Sequence, residues 1–402
     1  MIEVQENMKK SYLLEKLHFY LYAITFSFVF VGLFTLPKGH EVIEVLVILS
    51  LLAGALNYFI NKQTLTNMSK LLTCTLLVSG LVILINHSIH GDWDRYGRAF
   101  LYMAAFVLLN PKIPNIKQIV FYSVAIGGVI LGTLSLYQFN TGLIRVDGFT
   151  NAILFSQHLF ILLIFNIYFF LSKNDKTKFF SLISICFLFV GLYLSQTRGV
   201  WLAILLLVCT YLFIKAYKKP LKYSLIALVL VFIAFSTYDN SGFVRDKVAS
   251  GISDIEKAKD GHFSSSWGLR IIAWDSAVKD IKNNYLIGVG KENFYLNKKA
   301  QVEKGEVNPL ALNSALHHTH NQYLQSQLIR GIPGTIALLL LLLYPWLSSG
   351  FITNKAYLFK SIAFSYAIFS LSDVPFEHLN TIYLYTLSMA LLSYFSLEEK
   401  ES

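Results

Sequence analysis

The chain has 402 residues, 55% hydrophobic and 14% charged, with a formal net charge of +10 and a mean hydropathy of +0.53. An ordinary soluble domain carries about 25% charged residues, so this composition excludes one. Much of the positive charge lies in short loops between apolar runs and no basic soluble domain is present, so a nucleic-acid partner is not implied.

Apolar runs of about 15 to 22 residues recur along the chain, near the length that crosses roughly 30 Å of hydrocarbon as helix. They predict spans near 17–36, 43–60, 71–88, 97–110, 118–138, 152–172, 179–195, 200–217, 221–237, 331–349, 357–372 and 379–395. The expected fold is an all-α polytopic membrane protein with about twelve transmembrane helices and both termini on one side. The weakly charged start and long first run read as a retained signal anchor.

Lys9, Lys10 and Lys16, then Lys62 and Lys70, Lys112 and Lys117, and Lys173, Lys176 and Lys178 all fall on one side of these spans. Lys215, Lys218, Lys219 and Lys222, and later Lys355 and Lys360, continue the series. The positive-inside rule makes that side, and both termini, cytoplasmic. The other side carries mostly arginines: Arg95, Arg98, Arg145, Arg198, Arg245 and Arg270. A rigid five-donor fork suits phosphate better than a wet ammonium does, so the two faces use positive charge differently. Cys74, Cys186 and Cys209 fall in spans and read as small core hydrophobes.

The long outer segment, 238–319, carries eleven Lys or Arg and ten Asp or Glu. It is too balanced to act as a bulk electrostatic trap. Ser250 to Ser266 is rich in Gly, Ser and Asp and reads as loop. From Trp267, the residues Ile271, Trp274, Val278 and Ile281 recur every three or four positions, which predicts an amphipathic helix lying on the bundle or in the interface plane. Gly288 and Gly290 end that pattern, and the stretch to Leu312 has no clear period. After Thr319, Leu324, Leu328 and Ile329 predict a short membrane-edge helix that stops at Arg330-Gly331, with Pro333 opening the next span. The chain therefore divides into a nine-span bundle (1–237), a periplasmic loop with membrane-edge helices (238–330), and three C-terminal spans with a cytoplasmic tail (331–402).

Several polar residues on the outer face invite chemistry. His320, in His317-His318-Thr319-His320-Asn321, has the ordinary pKa of a general base or acid, or is an interfacial histidine bonded to backbone. Metal binding by the neighbouring imidazoles finds no carboxylate or cysteine at ligand spacing. Arg198, in Ser195-Gln196-Thr197-Arg198-Gly199, lines an oxyanion site or snorkels to headgroups. Arg270, on the wet face of the amphipathic helix, carries the same two readings. Asp373, in the last outer turn, orients an imidazole, binds a sugar hydroxyl, or caps a helix. Arg95 and Arg98 with Asp92 and Asp94 touch substrate or form a charged outer loop, and Arg145 and Asp147 share a short loop in which they can pair. His158, inside a span, reads as packed. His318, Asn321, Asp373, Arg95, Arg98 and Arg145 stand as supporting residues behind His320, Arg198 and Arg270.

Three stretches together resemble the O-antigen ligase family, within the wider O-antigen ligase and polymerase superfamily. They are Ser195-Gln196-Thr197-Arg198; Gly268-Leu269-Arg270-Ile271-Ile272-Ala273-Trp274; and His318-Thr319-His320-Asn321 followed by nine residues, Gly331 and then Gly334. The resemblance implies a GT-C-like glycosyltransferase of the bacterial inner membrane with a periplasmic active site. It implies an inverting transfer, without metal or other cofactor, from an undecaprenyl-diphosphate-linked O-antigen donor to a sugar hydroxyl of the lipid A core. By matching position, Arg198 and Arg270 are similar to the family's diphosphate-binding arginines, His320 to its essential histidine and Asp373 to an acidic residue near the last outer loop. An O-antigen polymerase would use the same donor. A transporter would instead line a mid-membrane path with polar groups, whereas here they gather on one face. Membrane lipids are expected partners, and the sequence sets no oligomeric state.

Overall fold

The computed structural model describes residues 2–61, 69–91, 95–172, 174–348 and 354–401. Lys62, Asp92, Asp94 and Lys173 lie outside the described residues. In chain order the helices are α1 (Ile2–Val31), α2 (Gly39–Asn61), α3 (Lys70–His90), α4 (Arg95–Leu108), α5 (Ile116–Asn140), α6 (Ala152–Phe170), α7 (Asp175–Ser195) and α8 (Arg198–Ala216). They continue as α9 (Pro220–Asn240), α10 (Gly242–Lys259), α11 (Ser266–Asn284), α12 (Lys291–Glu303), α13 (Gln322–Ser348), α14 (Asn354–Phe369) and α15 (Leu379–Glu401). Two short 3-10 turns, Pro309–Leu312 and Pro375–Glu377, complete an architecture with no strand among the described residues.

Nine of these helices are long and apolar enough to cross a membrane: Ser11–Val31 within α1, then α2, α3, α5, α6, α7, α8, α9 and α13. The other three predicted spans fall on α4, which has 14 residues, on the short apolar helix Ala356–Phe369, and on α15. Among the described residues the protein is thus an all-α polytopic membrane protein with nine apolar spans of that length.

The chain forms two compact units, one comprising 1–200, 336–369 and 375–402, the other 201–335 and 370–374. In the first, α5 packs on α1, α6 and α7, α3 packs on α4, and α15 packs on α4, α6 and α14. Aromatic rings fill its core, with Tyr22 stacked on Phe106 at 4.0 Å and Phe30 edge-on to Phe165 at 5.0 Å. Small residues set the closest approaches: a Cβ on Gly132 of α5 would come within 2.5 Å of the Phe187 carbonyl of α7. Membrane helices lack a hydrophobic force between one another and rely on such contacts and on buried polar links. Thr25 and Ser50 make one of these links, 3.0 Å apart between α1 and α2. His158 is fully buried in α6 beside the Phe34 ring at 4.7 Å, as a packed histidine.

Cys74, Cys186 and Cys209 are exposed on their helices, so they are not the core residues expected. A thiol is apolar enough to sit on a lipid-facing side, and helix period decides which face it takes.

The second unit contains the amphipathic helix, and three of its features depart from the sequence expectation. Residues 250–259, expected to be loop, are the last turns of α10. That helix starts from Ser241, whose side chain accepts from the Val244 N–H, so local capping sustains it despite its polar composition. The aperiodic stretch to Leu312 holds α12 and a 3-10 turn. In α11 the face buried within the unit is Gly268, Ile272, Ala273, Ser276, Ala277 and Asp280. Ile271 and Val278, which defined the expected stripe, remain 38% and 39% exposed and are available to an interface. Small residues allow the close approach: Ala277 joins Val289, Phe294, Leu328 and Ile329 in one cluster, and Ile272 joins Val307 and Ala311 in another.

The predicted stop at Gly331 is a kink inside α13, where Gly331 has φ 61° and ψ −152°. Pro333 has no N–H to give the Ile329 carbonyl, and the Ile332 N–H turns away to Tyr285 O at 3.1 Å. The freed carbonyls of Leu328 and Ile329 accept instead from Val289 and Gly290, at 2.8 and 3.0 Å. Only glycine fits at this crossing, since a Cβ on Gly331 would lie 2.4 Å from Leu286 O and one on Gly288 would lie 2.4 Å from Ile329 O.

Candidate active site

The histidine segment, 313–321, is irregular backbone held from several directions within the second unit. The indole N–H of Trp274, in the middle of α11, donates to Thr319 O at 2.8 Å. The Thr319 N–H donates to Gln325 Oε1 at 2.9 Å, and the Thr319 hydroxyl donates to Asn321 O at 2.8 Å. The buried ammonium of Lys298 on α12 donates to Leu316 O at 2.5 Å, and burial lowers its pKa to about 8. Asn321 caps α13, its Oδ1 accepting from the Leu324 N–H at 3.1 Å. Gln322 N–H reaches Ser370 O at 2.8 Å, tying the segment to 370–374, which carries Asp373.

These ties hold His320 in the left-handed region, at φ 51°, an uncommon position for a residue with a Cβ. Its backbone N–H donates to His318 Nδ1 at 3.1 Å, and the two rings meet at 4.1 Å and 65°. His320 Nε2 lies 3.1 Å from Ala315 O. A carbonyl brings no proton, so Nε2 carries the hydrogen and the neutral ring keeps its lone pair on Nδ1. Nδ1 is buried and has no hydrogen-bond partner among the described residues. Burial lowers the His320 pKa from its ordinary value, opposed by the Ala315 carbonyl; Arg270 and His317 lower it further and Asp373 raises it. The ring is therefore neutral at pH 7, with an unused acceptor nitrogen.

Arg270 sits one turn into α11, its guanidinium 6.0 Å from the Trp267 ring. Ser265 caps that helix by accepting from the Gly268 N–H, and Trp267 and Trp274 meet edge-on at 6.1 Å. The same tryptophan pair thus flanks Arg270 and anchors the histidine segment. A ring nitrogen of His318 and a carboxylate oxygen of Asp373 lie within 4.8 Å of each other. The fold therefore brings to the histidines a carboxylate that the local sequence spacing lacked.

Arg198 belongs to the first unit, in the turn between α7 and α8. Gln196 closes α7 in the left-handed region at φ 53°, and its side-chain amide donates to Ile144 O at 2.7 Å. Arg145 does not pair with Asp147. It donates from Nε to Ser195 O at 3.0 Å and from Nη2 to Thr197 Oγ1 at 3.2 Å, while Asp147 accepts from Gln138 Nε2 at 3.0 Å. Desolvation, and after it the Arg198 charge, lowers the Arg145 pKa. Two guanidinium groups close enough to repel, at the N-terminus of α8, make a site that favours an anion. Arg95 and Arg98 open α4, within electrostatic reach of Tyr383.

The fold thus gathers His318, His320, Asn321, Arg270 and Asp373 in one unit, and Arg145 with Arg198 in the other. Trp274, Gln325 and Lys298 were not singled out from sequence as site residues. Only the tryptophan carried a signal, as part of the amphipathic pattern, because its partner lies 45 residues away.

Residues 182–339 match the family model described as O-Antigen ligase. The match encloses Arg198, Arg270, His318, His320 and Asn321, and ends before Asp373. The chain is also 26% identical over 334 residues to an uncharacterized protein of Haemophilus influenzae, covering 79% of this chain and 82% of the relative. An O-antigen ligase family domain is therefore present over part of the chain, which supports membership of that family without extending it to the full length.

Proposed function

We propose that the protein is a membrane glycosyltransferase that moves a glycan from undecaprenyl diphosphate to a sugar hydroxyl of the lipid A core, on the periplasmic face of the bacterial inner membrane. The observation that carries this reading is His320, with Nε2 committed to Ala315 O and Nδ1 buried and unused inside the matched family segment. A sugar-1-diphosphate already contains an activated bond. The enzyme needs to accept a proton from the acceptor hydroxyl and to stabilise the departing diphosphate.

In the proposed reaction, His320 Nδ1 takes the hydroxyl proton while that oxygen attacks the anomeric carbon. The bond from the anomeric carbon to the diphosphate oxygen breaks, and its electron pair leaves with the diphosphate. Attack opposite the leaving group inverts the anomeric centre. Arg198 and Arg270 receive the diphosphate charge through forked hydrogen bonds, which offsets the negative charge without requiring a divalent cation. Asn321 and His318 act through His320, by capping α13 and by accepting its backbone N–H. Arg145 acts through the turn that carries Arg198.

A reconstituted assay with a defined lipid-linked donor and a lipid A core acceptor tests the proposal by product identity. The expected product is glycan on the core, formed equally well in the presence of EDTA. A longer lipid-linked chain would identify a polymerase, glycan moved across the bilayer without a new bond would identify a transporter, and loss of product with EDTA would show a metal requirement.

A further inference from the structure

A cavity of about 570 Å³ opens between the start of α1, the end of α2 and the segment that follows α4, wholly within the first unit. That volume falls in the range of ligand pockets, roughly 300–1,000 Å³. It lies at the lysine-rich end of the bundle, away from the arginine-bearing turns. The transfer chemistry makes no use of it.

The lining contains a histidine whose hydrogen-bond state is fixed by its neighbours. Asn61 Nδ2 donates to Asn57 Oδ1 at 2.5 Å, which turns the Asn57 amide nitrogen toward His18 Nδ1 at 3.0 Å. His18 Nδ1 therefore accepts, and the neutral ring carries its hydrogen on Nε2. His18 is 3% exposed, and its ring also hydrogen-bonds the Leu109 backbone, so Nε2–H is committed within the protein. Gly54, also in the lining, faces that atom: a Cβ there would come within 3.0 Å of it. Asn110, 4% exposed, lines the same space; Tyr394 engages its amide on one side, and Nδ2 is buried without a partner. The unused Asn110 amide donor on this cavity calls for a polar occupant, because a buried unpaired donor costs about 1–3 kcal/mol.

Charge narrows the class of occupant. Lys16 and Lys112 line the cavity with exposed ammonium groups, against one carboxylate, Glu15. A buried N–H donor beneath two lysines suits an anion with several acceptor oxygens. We propose that this cavity binds a phosphate-bearing anion, with the Asn110 amide beneath it and Lys16 and Lys112 around it. Basic pockets between helices at a cytoplasmic membrane surface take anionic phospholipid headgroups by this chemistry.

Native mass spectrometry of the full chain in detergent tests the site with phosphatidylglycerol, phosphatidylcholine and glycerol 3-phosphate as probes. The expected result is preferential retention of phosphatidylglycerol over phosphatidylcholine, weakened roughly tenfold or more in the Lys16→Gln/Lys112→Gln variant. Both lysines are exposed, so an unchanged melting temperature is expected. Gly54→Leu, which would intrude on His18, is expected to weaken retention while leaving both charges in place. Competition by glycerol 3-phosphate, with no preference between the lipids, would assign the site to a soluble phosphate. Equal retention of all three probes by wild type and both variants would overturn the proposal.

Discussion

The turn that carries Arg198 and the segment that carries His320 use the same construction and reach different electrostatic ends. Each holds a non-glycine residue in the left-handed region, Gln196 at φ 53° and His320 at φ 51°. In each, some polar atoms are committed to backbone so that others point away from it. Arg145 gives its donors to Ser195 and Thr197, and His320 gives Nε2 to Ala315. Arg198 is exposed, whereas His320 Nδ1 is buried. An exposed cation suits the arrival of a polyanion from water; a desolvated imidazole suits proton acceptance at neutral pH. The comparison predicts that salt acts on the first region and pH on the second.

The largest effect that separates the two regions is expected from Arg198→Ala, a fall in turnover of about 10²–10³ with the pH profile unmoved. Donor KM for wild type should rise with ionic strength, and that dependence should flatten in the variant. A variant that shifts the pH profile instead would show that the arginine acts on the base. A smaller effect is expected from Trp274→Phe, which keeps the packing against Trp267 and removes the N–H that holds Thr319 O. A buried acceptor left without its donor costs about 1–3 kcal/mol, so kcat should fall roughly tenfold while donor KM stays within about twofold. An equal loss in donor binding would place Trp274 at the substrate rather than behind the histidine.

The finest test uses the pH dependence of turnover. The proton-accepting form of His320 is neutral and its pKa is lowered, so activity should rise with pH along a limb centred below pH 6.5 and then level off. Asp373 raises that pKa and His317 lowers it. Asp373→Asn should therefore move the limb to lower pH and His317→Gln should move it to higher pH. Shifts of the same sign in both variants would contradict the electrostatics of this segment.

The sequence made the helices visible where apolar spacing is regular and a break is chemically marked. The apolar runs correspond to nine long helices, and Gly331-Ile332-Pro333-Gly334 announced the kink in α13 because a left-handed glycine and a missing proline N–H both end a helix. The polar helices α10 and α12 escaped notice because they lack an apolar stripe, and caps and neighbours sustain them instead. In α11 the apolar spacing revealed the helix but favoured the exposed stripe, since Ala273, Ser276 and Ala277 bury themselves by being small. Site residues were legible as residue types: an imidazole and arginines in polar segments of a membrane protein. Their roles depend on bonds between distant segments, such as Arg145 to Ser195, Trp274 to Thr319 and Gln322 to Ser370. No local period encodes such pairings.

The central claim is that His320 accepts the acceptor's proton, and single-turnover transfer by purified His320→Ala tests it most directly. The variant should bind the lipid-linked donor with wild-type affinity and transfer it about 10²–10⁴ times more slowly. Undiminished transfer, or a loss traced wholly to donor binding, would contradict the assignment.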